Sequence, residues 1–148
     1  MAFLKTGGCQ CGEVRYEITC EPTVVYACHC TECQRQSGSA FGMAAVIPAE
    51  HFRVTKGTLR DFPRTGESGR TMLCRFCPTC GTRIYHSPAG LAQNCNIKPG
   101  TLDDTSWVKP TVHVWTRSAQ PWTVIPEGVM ACETQPADRS WLTRREPS

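Results

Sequence analysis

Nowhere does the chain approach the roughly 20 consecutive apolar residues that a membrane-spanning helix requires. Its opening residues also lack a basic start followed by an apolar stretch, since Lys5 gives way to Gly7, Gly8 and Cys9. Neither a signal peptide nor a membrane span is therefore expected. Internal repeats and low-complexity tracts are missing as well. Lys and Arg form no extended run, so the net charge of +3 and a pI near 8.3 do not add up to the footprint of a nucleic-acid binder. With 148 residues, 40% of them hydrophobic, the chain has the size of one domain with a modest core. These absences lead us to expect a soluble, cytoplasmic protein with no nucleic-acid or membrane partner.

What the chain has in excess is cysteine, eleven in all. Such an excess means either a disulfide framework in a secreted chain or metal ligation in a reducing compartment. The count is odd, no export signal is visible, and most of the cysteines fall into C-x-C and C-x2-C groups whose spacing favours sharing a metal over pairing. The expectation is a zinc protein. Zinc ligands are thiolates. Seven thiolate charges set against the four of two Zn2+ ions would cancel the formal charge of +3.

Gly and Pro recur as turn punctuation in a rhythm typical of all-β chains. Strand-like runs appear at Glu13 to Thr19, Val24 to Ala27, Ala44 to Ile47, Phe52 to Lys56, Thr71 to Arg75, Thr82 to His86, Asn94 to Lys98, Thr111 to Thr116 and Trp122 to Ile125. "PRTGESGR", residues 63–70, reads as a hairpin loop. One domain over residues 1–135 is expected, followed by a polar surface tail at 136–148 with at most one helical turn. The one local helix signal is Thr31 with Gln34 three residues later, a capping-box pattern that Gly38 would terminate. It would put Cys33 in a first turn, where the positive end of the helix dipole favours a thiolate.

"GGCQCGE" supplies Cys9 and Cys11, and "FCPTCGT" supplies Cys77 and Cys80, each pair followed by a glycine able to turn the chain around an ion. Two such halves provide four thiolates, enough to close a tetrahedral structural zinc. "CHCTECQRQSG" then places Cys28, Cys30 and Cys33 within six positions. Spacing alone leaves their fourth partner open. A second closed site could be completed by Cys74, Cys20, Cys95 or Cys132, with Cys74 the strongest rival because it also forms C-x2-C with Cys77. Alternatively, the fourth position stays free for water or substrate, as in catalytic zinc sites. His29 should point away from the Cys28 and Cys30 face.

"GGCQCGEVRYE", "CHCTECQRQSGSAFG", "RFCPTCGTRIY", "GTLDD" and "PTVHVWTRSAQPW" occur in this order and closely resemble the glutathione-dependent formaldehyde-activating enzyme family, also called GFA or centromere-protein-V-like. The resemblance spans about residues 5–126. It implies a mainly β fold of the β-tent type with short helical turns, stapled by zinc, with two Zn2+ per chain. Cys9, Cys11, Cys77 and Cys80 match the family's structural ligands, Cys28, Cys30 and Cys33 its catalytic ones, and Cys74 none. The implied activity is that of a carbon-sulfur lyase that interconverts formaldehyde plus glutathione with S-hydroxymethylglutathione, or acts on a related thiol adduct. Arg35, just beyond the triplet, is a candidate for a glutathione carboxylate. His113 reads as a packed structural histidine, and His51 and His86 have no supporting context. The other reading is a non-catalytic, zinc-stabilised interaction module, because fold alone does not fix function.

Overall fold

Short strands dominate the computed structural model of the chain, which describes residues 2–66, 69–138 and 140–142. The strands are β1 (Lys5–Gly8), β2 (Arg15–Ile18), β3 (Val24–Cys28), β4 (Gly42–Pro48), β5 (Phe52–Lys56), β6 (Arg60–Thr65), β7 (Thr71–Phe76), β8 (Arg83–Pro88), β9 (Asn94–Ile97), β10 (Val112–Val114) and β11 (Met130–Ala131). The helix α1 (Thr31–Ser37) and a few 3-10 turns complete the described elements. The protein is mainly β, as the punctuation of the sequence predicts. β1, β2 and β5 form one sheet, and the other eight strands form a second in the order β11-β10-β3-β4-β9-β8-β7-β6. Pairing is antiparallel except where β10 runs parallel to β3 and to β11.

The period-two alternation of strand side chains gives the larger sheet two unlike faces. Val25, Ala45, Ile47, Tyr85, Cys95 and Ile97 point to one face and pack with Val14, Tyr16 and Ile18 of the smaller sheet's segment. Ile18, Ile47, Ile84 and Ile97 are completely buried there, each worth about 1.5–3 kcal/mol of transfer free energy. The opposite face carries a row that crosses the sheet, with Phe62 opposite Cys74, Cys74 opposite His86, His86 opposite Asn96 and Asn96 opposite Val46. Polar residues and thiols in that row mark it as something other than a second core.

Three strands escape a reading by pattern, and each has a local reason. β1 contains Gly7 and Gly8, which weaken any strand signal; a Cβ on Gly7 would lie 2.6 Å from the Tyr16 ring and from the Thr101 carbonyl oxygen, so close packing requires the glycine. β6 includes Pro63 and so reaches into the expected 63–70 loop. It lies at the sheet edge, where a missing N–H is tolerated. The connection shortens to 66–70, closed by a bond from Gly66 N–H to the Arg70 carbonyl, and residues 67 and 68 of the expected loop lie outside those described. β11 has only two residues. Conversely, Trp122 to Ile125 is not a strand. Pro121 and Pro126 bracket it, and Trp122 and Val124 are 69% and 84% exposed, without a ladder partner. Of the expected tail, 139 and 143–148 lie outside the described residues. Leu142 packs against the cluster of Val24, Val46, Val112 and Val114, and its carbonyl accepts a bond from Thr23 Oγ1.

Candidate metal centres

Two chain reversals, each closed by the N–H of a glycine, come together in the fold. In the first, Gly12 N–H donates to the Cys9 carbonyl at 3.1 Å; in the second, Gly81 N–H donates to the Cys77 carbonyl at 2.9 Å. Both glycines have left-handed backbones, with φ of 81° and 80°, as the knuckle pattern requires. The loops also bond to each other through Gln10 N–H and Thr82 Oγ1 at 3.2 Å. The result gathers the sulfurs of Cys9, Cys11, Cys77 and Cys80 within 4.8 Å of one another. Cys9 and Cys11 sulfurs are 3.5 Å apart, and Cys11 and Cys77 sulfurs 3.8 Å. Tetrahedral Zn–S bonds of about 2.3 Å place neighbouring sulfurs about 3.8 Å apart, so the four donors fit zinc in spacing as well as chemistry. Val14 N–H donates to Cys9 Sγ at 3.2 Å, the kind of bond that favours a thiolate. Hydrogen bonds from Thr82 lower the Cys80 thiol to about 5.

The second group consists of Cys28, Cys30 and Cys33, whose sulfurs also lie within 4.8 Å of one another. Among the described residues no fourth Cys, His, Asp or Glu joins them. β3 delivers Cys28 at its last residue, and the chain then enters α1. Here the structure corrects the capping box. The N-cap is Cys30, with extended backbone, and its sulfur accepts the Cys33 N–H at 3.3 Å. Gln34 does not reach back to Thr31; its amide donates to the carbonyls of His29 and Ser118 at 2.8 and 2.9 Å, tying the helix to the segment after β10. Gly38 ends the helix in the left-handed conformation, as expected. Sharing of hydrogen bonds within the triplet, from Cys28 first and then Cys33, holds the Cys30 thiol far below its ordinary range, while the same contacts and burial push Cys28 up. A set of three soft donors, from the end of β3 to the first turn of α1, suits a thiophilic cation.

The triplet opens onto a cleft of about 780 Å³ that runs along the polar face of the larger sheet. Arg35 lies at its exposed rim, and Trp115 forms part of its wall. Inside are residues that sequence reasoning passed over. Lys98 Nζ donates to His86 Nδ1 at 3.1 Å, and both line the cleft with Arg64 and Arg83. Burial, reinforced by Lys98, Arg64 and Arg83, lowers His86 well below its usual range, so it stays neutral and accepts. Burial also lowers Lys98, against the pull of Cys33 and Cys74. The available signal was strand parity, which puts His86, Asn94, Asn96 and Lys98 on one face; the sequence alone does not show which face is the core.

The remaining candidates are placed outside both sulfur groups. His29 is fully buried, and its Nε2 pairs with His113 Nδ1 at 2.9 Å beneath the ring of Phe41. His113 is thus packed, and His29 pairs with it rather than joining the triplet sulfurs. His51 bonds Thr19 at the surface. Cys20, Cys95 and Cys132 are dispersed over the core clusters. Cys74 is buried and lines the same cleft but belongs to neither group. Its substitution is therefore diagnostic: Cys74→Ser should leave the metal content of the folded protein unchanged in elemental analysis, and loss of one ion per chain would show that Cys74 closes the second site.

The comparisons follow the same lines. A crystal structure of a Rhodobacter sphaeroides protein is similar over 86% of this chain and 98% of that one, with a TM-score of 0.52 at 20% identity, a likeness of fold. The family model of the glutathione-dependent formaldehyde-activating enzyme matches residues 4–118, a span that holds both sulfur groups and most of the cleft wall. The chain belongs to the glutathione-dependent formaldehyde-activating enzyme family.

Proposed function

We propose that this protein is a zinc-dependent carbon-sulfur lyase acting on adducts of glutathione, or a related thiol, with formaldehyde or another aldehyde. The observation that carries this reading is the contrast between the two sulfur groups: four donors in one, three in the other, and the group of three facing a cleft. Cys9, Cys11, Cys77 and Cys80 are the structural ligands of one zinc, and Cys28, Cys30 and Cys33 hold the other. A zinc held by three thiolates is soft and weakly acidic, and it supplies a position suited to a substrate thiolate.

The chain's own part is orientation. The cleft admits the thiol along the sheet face and brings its sulfur to the triplet, with Arg35 at the rim available to a carboxylate. In the synthetic direction the substrate sulfur forms a bond to the aldehyde carbon, the C=O pair moves to oxygen, and a proton completes the hydroxyl. In the reverse direction the same bonds break. The addition needs alignment more than strong acid or base, so proximity can supply most of the acceleration.

The test compares glutathione with S-methylglutathione by calorimetry on the metal-bearing protein. Glutathione should bind, S-methylglutathione far more weakly, and glutathione affinity should rise with pH until the thiol is ionised in solution, because the sulfur must lose its proton to ligate. Exchange between formaldehyde plus glutathione and their adduct should exceed the uncatalysed background in magnetisation-transfer NMR. Equal binding of the two ligands, or binding of neither, would overturn the thiol-ligand reading and favour the non-catalytic interaction module.

A further inference from the structure

The cleft holds more positive charge than its surroundings neutralise. Arg64 on β6, Arg83 on β8 and Lys98 just past β9 all line it, and among the described residues none of the three is ion-paired with a carboxylate. Glu32 is the only acidic side chain among the lining residues. A zinc with three thiolates carries a single negative charge, which cannot balance three cations and Arg35 as well. Lys98 is only partly exposed, and its contact with His86 Nδ1 uses one ammonium donor and leaves the others for a ligand. Arg83 lies 5.6 Å above the Phe62 ring, which holds the guanidinium at the cleft wall. Register explains the gathering. Phe62, Cys74, His86 and Asn96 stand opposite one another across four strands, and Arg64 follows two residues after Phe62 on the same face of β6. Lys98 is desolvated and the two arginines are half-buried, so cations gathered here without carboxylates repel one another until an anion joins them.

We propose that Arg64, Arg83 and Lys98 form a carboxylate-binding subsite that selects, among thiols, those carrying an anionic group, so that the substrate is an acidic thiol or its aldehyde adduct. This rests on the preceding reading, in which the sulfur of the same molecule sits at Cys28, Cys30 and Cys33. The subsite then fixes the far end of the substrate, and the spacing between sulfur and carboxylate becomes the specificity rule.

The experiment is calorimetry on zinc-bearing wild-type protein and on the Lys98→Gln and Arg64→Gln variants, titrated with glutathione, glutathione diethyl ester and S-methylglutathione at constant pH. Arg64 lies on an edge strand, so its variant keeps the question answerable should Lys98→Gln fold poorly. In the wild type the diester, with both carboxylates neutralised, should bind about tenfold or more weakly than glutathione, the range for losing hydrogen bonds to a charged group. In either variant that gap should shrink. A diester that binds as tightly as glutathione overturns the subsite and leaves the thiol reading intact. S-methylglutathione matching glutathione overturns the thiol reading instead. Should the variants lose zinc while the gap between acid and ester stays at its wild-type size, the cations serve only to stabilise the cysteine thiolates and the subsite is wrong.

Discussion

Cys77→Ser should unfold the protein. Cys77 is completely buried, its sulfur lies 3.8 Å from that of Cys11, and Glu13 and Thr79 close over the same loop. With Cys9 and Cys11 it joins the β1–β2 connection of the smaller sheet to the larger sheet. Structural zinc in small domains contributes about 10–16 kcal/mol of apparent binding free energy, as much as or more than the 5–15 kcal/mol that separates a typical domain from its unfolded state. Losing one of the four donors forfeits a large part of that contribution, which is as large as the whole stability of a domain. The expected result is a chain that lacks cooperative thermal unfolding by circular dichroism and fails to retain the zinc. A Cys77→Ser protein that melts cooperatively near the wild-type temperature and holds two ions per chain would show that these sulfurs are not a structural site.

Cys30→Ser should have the opposite signature, loss of glutathione binding and turnover with the fold intact. Cys30 is the N-cap of α1, and serine is among the preferred N-cap residues, so its hydroxyl can still accept the Cys33 N–H. What it cannot replace is the thiolate. Exchange of formaldehyde and glutathione with their adduct should fall to the uncatalysed rate, while the melting transition persists. Cys30→Ala, which removes the cap as well, should cost about 1 kcal/mol more in stability. Turnover by Cys30→Ser at the wild-type rate would remove the triplet from the chemistry.

Comparison of the two sulfur groups shows what the sequence could and could not convey. Cys9, Cys11, Cys77 and Cys80 are legible because the chemistry is written in local spacing, with Gly12 and Gly81 supplying the left-handed turn after each pair. Most strands are legible for the same reason, since alternation is local. Trp122 to Ile125 misleads because a β-rich tetrapeptide says nothing of whether a neighbouring strand is there to receive it. Gln34 misleads in another way. Its spacing from Thr31 fits a capping box, but the carbonyls of His29 and Ser118 are better partners, and Ser118 is brought close only by the fold. The cationic wall of the cleft is least legible of all. Arg64, Arg83 and Lys98 are scattered over three strands or their ends, and only the pairing of β6 through β9 makes them neighbours.

The sulfur group that brings Cys11 beside Cys77 also shapes the route by which the chain reaches this fold. These two sulfurs are 66 residues apart in sequence, and β2 with β5, β3 with β10 and β4 with β9 pair across non-consecutive positions, an arrangement that slows folding because loop closure precedes the contacts that reward it. Each half-site, however, is local. Cys9 with Cys11, or Cys77 with Cys80, can take up a metal ion while the rest of the chain is still open, and the captured ion then presents vacant positions to the other half. Metal availability during synthesis would thus decide whether the chain folds as well as how fast, and a chelator added before refolding should abolish recovery of the native fold, whereas the same chelator added to the folded protein should act only as fast as the metal leaves.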